Sequence, residues 1–154
     1  MNKRWARIFL AAMTAVCLAG AWRTPFRLPL PEDGKCKSIR VERAGFNGWD
    51  ECSIENTPQQ AALIALLRET DLRRCSPLGS YGGLVEPGDF YYCMNLTLPQ
   101  HGTHIQMSVG CRDGREYGEG QLLNAHVNLA YRIPDPAPLL LFFENKLVFE
   151  RTGS

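Results

Sequence analysis

The sequence is poor in the motifs that name a reaction. It holds no G-x-S-x-G turn, which excludes the nucleophile elbow of serine hydrolases. No two cysteines are spaced C-x-x-C, so the usual zinc-knuckle and thioredoxin signatures are absent. The stretch Gly79-Ser80-Tyr81-Gly82-Gly83 lacks the lysine and following helix of a phosphate loop, and it reads as a turn. Net charge is nearly nil: 17 Lys and Arg against 16 Asp and Glu leave +1. That excludes bulk attraction to nucleic acid or acidic membranes. There is no internal repeat and no low-complexity tract. With 154 residues, 45% hydrophobic and 21% charged, the chain suits one folded domain rather than a disordered one.

What is present begins at the N-terminus. Lys3, Arg4 and Arg7 precede an apolar run from Ile8 to Trp22, and Ala19-Gly20-Ala21 places small residues where a signal peptidase cuts. Basic region, apolar region and A-x-A site together read as a secretory signal peptide over residues 1–21. A spanning helix wants about 20 apolar residues, so the run is short for an uncleaved anchor, the alternative reading. Lipidation at Cys17 is disfavoured because Val16 stands where a small residue is needed. Cleavage would remove three cations and no acid, leaving a net charge of −2 from the 17 and 16 of the whole chain.

Residues 22–35 hold a cluster of prolines and read as an extended spacer. The domain is expected over residues 36–154. Its cysteines are Cys36, Cys52, Cys75, Cys93 and Cys111. In an exported chain the default is disulfides, and the odd count leaves one thiol over. Cys36 and Cys52 flank the first strand and a Gly-rich loop, and a bridge between them would close that excursion.

Thr57, Pro58 and Gln60 form a T-x-x-Q capping box ahead of an apolar stripe at Leu63, Ile64, Leu66 and Leu67, which predicts a helix ending near Cys75. Alternation predicts strands over residues 38–43, 90–98, 104–111 and 121–133, with a final hairpin of residues 139–144 and 146–151 about Asn145-Lys146. The fold class is therefore α+β: one amphipathic helix packed on a curved, mostly antiparallel sheet of about five to six strands. Matching the apolar faces of the second and third strands sets Leu98 opposite Ile105 and Tyr92 opposite Cys111. Cys93 then faces Gly110 and points away from Cys111 unless Gly110 bulges. Without that bulge Cys111 lies on the helix side, near Cys75.

His101, His104 and His126 invite a metal reading. His101 falls in a loop, and His104 and His126 are about 13 Å apart at ~3.3 Å per residue, too far to share an ion. No metal and no cofactor is expected. The loop of residues 112–120 carries Asp113, Glu116 and Glu119 interleaved with Arg112 and Arg115, and it reads as a solvated hairpin loop.

The non-core sheet face is the informative surface. It carries Tyr91, Asn95, Thr97, His104, Gln106, Ser108, Asn124, His126, Asn128 and Arg132. A solvated strand face commonly carries Lys and Glu, whereas this one is nearly uncharged and rich in hydrogen-bonding groups, suited to recognition. The functional expectation is an exported, most simply periplasmic, disulfide-containing binding protein without enzymatic activity. It would be inhibitor- or immunity-like and act on a protein partner in the cell envelope. No nucleic acid is expected, and membrane contact comes only through residues 8–22 if they are retained. The alternatives are an envelope structural or assembly subunit anchored in the inner membrane, and a small hydrolase using the carboxylates of the 112–120 loop.

Overall fold

A computed structural model describes residues 3–32, 36–45, 48–55, 57–75, 88–99 and 102–151. The predicted turn at residues 79–83 and His101 lie outside them. In chain order the elements are α1 (Lys3–Arg23), β1 (Ser38–Gly45), β2 (Gly48–Ser53), α2 (Thr57–Glu69), β3 (Arg73–Arg74), β4 (Phe90–Thr97), β5 (His104–Arg112), β6 (Arg115–Leu123), β7 (Asn128–Arg132), α3 (Ala137–Lys146) and β8 (Glu150–Arg151). The eight strands form one sheet in the order β3-β7-β6-β5-β4-β1-β2-β8. Each pairing is antiparallel. The class is α+β, as the alternation implies.

One face of this sheet is the core face. Ile39 and Val41 of β1, Tyr92, Met94 and Leu96 of β4, and Ile105, Met107 and Val109 of β5 are all buried there. α2 covers them with Leu63, Ile64 and Leu67, and α3 with Leu139, Leu140 and Phe143. Apolar burial on this scale supplies the main driving force for folding. The helices are tied at their ends, since the Gln59 side-chain amide donates to the Lys146 carbonyl at 2.8 Å. The Gln60 side-chain amide donates to the Ile54 carbonyl at 2.8 Å, tying the start of α2 to the end of β2.

Several expectations are corrected. The final hairpin is replaced by α3. Its run Leu139-Leu140-Leu141-Phe142-Phe143 has no apolar period of its own, so strand and helix are indistinguishable locally. Pro138 decides the matter by starting a helix in its first turn, where no amide donor is needed. The main-chain carbonyl of Pro136 accepts from Leu139 and Leu140.

The expected strand 121–133 is two strands. The Asn124 carboxamide oxygen accepts from the amides of His126 (2.8 Å) and Val127 (2.7 Å), reversing the chain. Leu123, expected on the apolar face of that strand, is instead the partner of His104 on the outer face, and Leu122 is buried. The expected loop 112–120 is mostly β6, because Asp113 (φ 52°) and Gly114 (φ 69°) turn the chain in two residues. Such a turn matches the twist of its flanking strands.

α2 stops at Glu69 rather than near Cys75. Leu72 is buried and pairs with Phe26 as an extended bridge, drawing Arg73 and Arg74 onto the sheet edge. The proline-rich segment read as a spacer is indeed extended, and it is also docked: Leu28 is buried in the core and the Arg68 guanidinium donates to the Pro31 carbonyl.

Candidate functional site

The face opposite the helices is built by register. Tyr91, Cys93, Asn95 and Thr97 of β4 stand opposite Gly110, Ser108, Gln106 and His104 of β5. The expected register was two residues different, with Leu98 opposite Ile105 where the structure has Leu96. An even shift keeps every side chain on its predicted face. The ladder runs unbroken through Gly110, so there is no bulge there. From β5 the rows continue onto β6, where Ser108 meets Glu119, Gln106 meets Gln121 and Gly110 meets Tyr117. They end on β7, where Glu119 meets Arg132 and Leu123 meets Asn128. Toward the other edge, Asn95, Cys93 and Tyr91 stand beside Arg40, Glu42 and Ala44 of β1. The helices' buried side chains all belong to the core on the far side.

Eight of the ten expected recognition residues share this face: Tyr91, Asn95, Thr97, His104, Gln106, Ser108, Asn128 and Arg132. Asn124 and His126 do not, because they form the β6–β7 turn, and the Asn124 oxygen is committed to holding it. His104 Nδ1 and Thr97 Oγ1 are 3.2 Å apart across the strands.

The face also contains Cys93, which the alternation of residues 90–98 already turns to this side, and an aromatic row that strand-by-strand reading left out. Cys93 sits at its centre, and its sulfur accepts from the Gln106 (3.8 Å) and Asn95 (4.0 Å) carboxamides. Above it runs an aromatic row. Trp49 meets Tyr91 edge-on at 6.2 Å, and the Arg112 guanidinium lies 5.2 Å over Tyr117. Burial, and then the Cys93 and Glu42 charges, push the Tyr91 phenol above its ordinary value, with Arg112 opposing. Burial also raises Tyr117, with Arg112 again opposing. These neighbours show that the phenols and the guanidinium form one group. A detectable signal for Tyr117 was the Asp113-Gly114 dipeptide, a strong hairpin marker that converts the following residues from loop to strand.

The cysteines fall on different sides. Cys75 follows β3 on the outer side, and its amide donates to the Ala130 carbonyl at 3.1 Å. Burial raises its thiol above the ordinary value, with Arg132 opposing and Glu119 adding to the rise. Cys111 pairs with Phe90 and Glu116, on the core side. The expected proximity of Cys75 and Cys111 is therefore corrected: the sheet lies between them. Cys52 is the partner of Val41, whereas Cys36 precedes β1, an offset of about 16 Å at ~3.3 Å per residue. A Cys36–Cys52 bridge does not fit that register.

Of the loop carboxylates, Asp113 lies in the turn, where its amide donates to Asp89 at 3.1 Å. Glu116 and Glu119 are three apart on one strand, so they project to opposite sides. Among the described residues no group of His, Cys, Asp and Glu is arranged to hold a metal ion.

The chain matches no family model, no curated protein and no solved structure. Fold and site together define a class of architecture: an α+β protein with one sheet face sealed by helices and the other offering aromatic rings, carboxamides and arginines.

Proposed function

We propose that the chain is an exported, non-enzymatic binding protein that holds a protein partner of the cell envelope against this outer sheet face, in the manner of an inhibitor or immunity protein. The observation that carries the reading is the row of Trp49, Tyr91 and Tyr117 with Arg112, set among neutral hydrogen-bonding groups. Aromatic and arginine side chains dominate the energetics of protein recognition, the rings because they bury large areas at little conformational cost and the guanidinium because it donates several hydrogen bonds from one plane. Export is supported by the basic and apolar pattern of residues 3–21.

A second reading, an anchored envelope subunit, is favoured by α1. It runs unbroken from Lys3 to Arg23 and leaves Ile8, Phe9, Leu10, Met13 and Val16 exposed. No helix among the described residues is long and apolar enough to cross a membrane.

N-terminal sequencing of the exported product separates the two readings. A start at Trp22 supports the free binding protein, and retention of Met1 supports the anchor. Partner binding is tested by passing solubilised native envelope over immobilised wild-type chain and over Tyr91→Ala and Trp49→Ala variants. A protein retained by wild type should be lost from both variants. Equal retention by all three removes the outer face from the mechanism.

A further inference from the structure

Two cross-strand pairs in this sheet set like charges against each other, and both border one cleft. Arg73 of β3 is the partner of Arg132 of β7, and Arg112 is the partner of Arg115 across the β5–β6 turn. By strand alternation all four belong to the outer face. Like charges placed directly opposite are destabilising. The usual remedy is a carboxylate between them, and Asp113 and Glu119 line the same cleft, with Glu116 at its rim on the other side of β6. Yet the ion pairs among the described residues are Arg27 with Asp71 and Arg40 with Glu51, both elsewhere. Glu119 is even the strand partner of Arg132 without pairing to it. With five arginines against three carboxylates in its lining, the cleft keeps a net positive charge. A local conflict retained without an internal gain points to function.

The geometry indicates what would relieve it. A guanidinium fork matches phosphate and carboxylate oxygens alike. Each arginine pair carries two charges, and a phosphomonoester supplies close to two at neutral pH, whereas a carboxylate supplies one. The pairs lie at opposite ends of the cleft. Arg132 is level with Glu119 on β6, and Arg115 is four residues along that strand, about 13 Å at ~3.3 Å per residue. Long side chains bring the charges closer than that. Tyr117 lies midway on the same side with the Arg112 guanidinium 5.2 Å over its ring, and the two form one wall of the cleft. The cleft holds about 930 Å³, far more than a phosphate ion needs and within the range of organic ligand sites. The carboxylates at its rim would accept from ligand hydroxyls.

We propose that this cleft binds a hydroxylated organic ligand bearing two phosphate groups, such as a bisphosphorylated sugar, either free or as the headgroup of a lipid. This goes beyond the partner-binding reading and does not rest on it.

The test is calorimetric titration of the full chain with a hexose bisphosphate, the matching monophosphate and inorganic phosphate. The bisphosphate should bind about tenfold tighter than the monophosphate or better. Arg132→Gln and Arg115→Gln should each weaken it about tenfold, while Lys146→Gln, an equal charge loss outside the cleft, leaves it unchanged. Each arginine variant removes a like-charge contact, so the unliganded variants should melt at or above wild type, and lost binding is then not unfolding. Co-sedimentation with phosphatidylcholine vesicles containing a phosphatidylinositol bisphosphate, lost in the same variants, assigns the ligand to a lipid. Bisphosphate binding without co-sedimentation assigns it to a free molecule. Absence of binding to both bisphosphate and vesicles, equal affinity for inorganic phosphate and bisphosphate, or undiminished binding by the arginine variants overturns the proposal.

Discussion

The Tyr131 hydroxyl donates to the main-chain carbonyl of Gln106 at 3.1 Å, and it reaches that carbonyl by lying across Gly120. Tyr131 stands on β7, Gly120 on β6 and Gln106 on β5, so one buried side chain ties three adjacent strands. A Cβ at Gly120 would overlap the phenol and the Gln106 carbonyl. Gly118 is used the same way, leaving room for Ile133. The glycines that make residues 112–120 look like a loop are instead the space into which β7 packs.

Gly120→Ala should therefore destabilise the fold by about 1–3 kcal/mol, the usual cost of overpacking a closed site. Tyr131→Phe should cost about 0.5–1.5 kcal/mol, because it removes the bond while keeping the ring. Urea unfolding followed by fluorescence measures both. Wild-type stability for Gly120→Ala would mean that Tyr131 does not cross β6.

α3 makes a second prediction. Phe143 is fully buried and its ring lies 5.4 Å from that of Tyr92. Phe143→Ala should cost about 3–5 kcal/mol. Val148 lies just beyond α3 at 81% exposure, so Val148→Ala should stay within about 0.5 kcal/mol. A hairpin in place of α3 would give a different alternation of costs along residues 139–144.

Alkaline pH should weaken the fold. Burial raises Tyr91, Tyr92 and Tyr117 above 10.0, and Cys52 and Cys75 above 9.0. The unfolded chain ionises at those ordinary values while the native chain resists. Stability is thus fully present below about pH 9 and falls as pH rises through the raised native values. Denaturation midpoints at stepped pH should show the decline, and Tyr117→Phe should make it shallower. Constant midpoints to pH 11 would contradict the burial of these groups.

Thiol placement gives a fourth prediction. Cys75 and Cys93 share the outer side but stand four strand spacings apart, about 19 Å at ~4.8 Å each. Alkylation of unreduced, unfolded monomer should modify both, read by peptide mass. A Cys75–Cys93 disulfide in the folded monomer would require a different strand order.

Much of the fold was legible because alternation is a local property. Tyr92, Met94 and Leu96 against Ile105, Met107 and Val109 named the core face, and that assignment survives a register error of two. Much of the outer face followed by elimination, since what is not turned to the core on β4 and β5 must oppose it. Trp49 and Tyr117 were missed for different reasons. β2 has no clean alternation, its residues being half-buried or exposed throughout, and β6 alternates glycine with larger side chains rather than apolar with polar.

By itself, then, the amino-acid order determined which residues of β4 and β5 turn inward and the α+β class, because side-chain alternation and helical stripes are written in neighbouring positions. Tertiary structure decided that residues 137–146 form a helix, that Gly118 and Gly120 seat Ile133 and Tyr131, and that Arg73 meets Arg132. Those outcomes depend on which segments lie side by side, and contacts between residues far apart in the chain leave no periodic trace within either one.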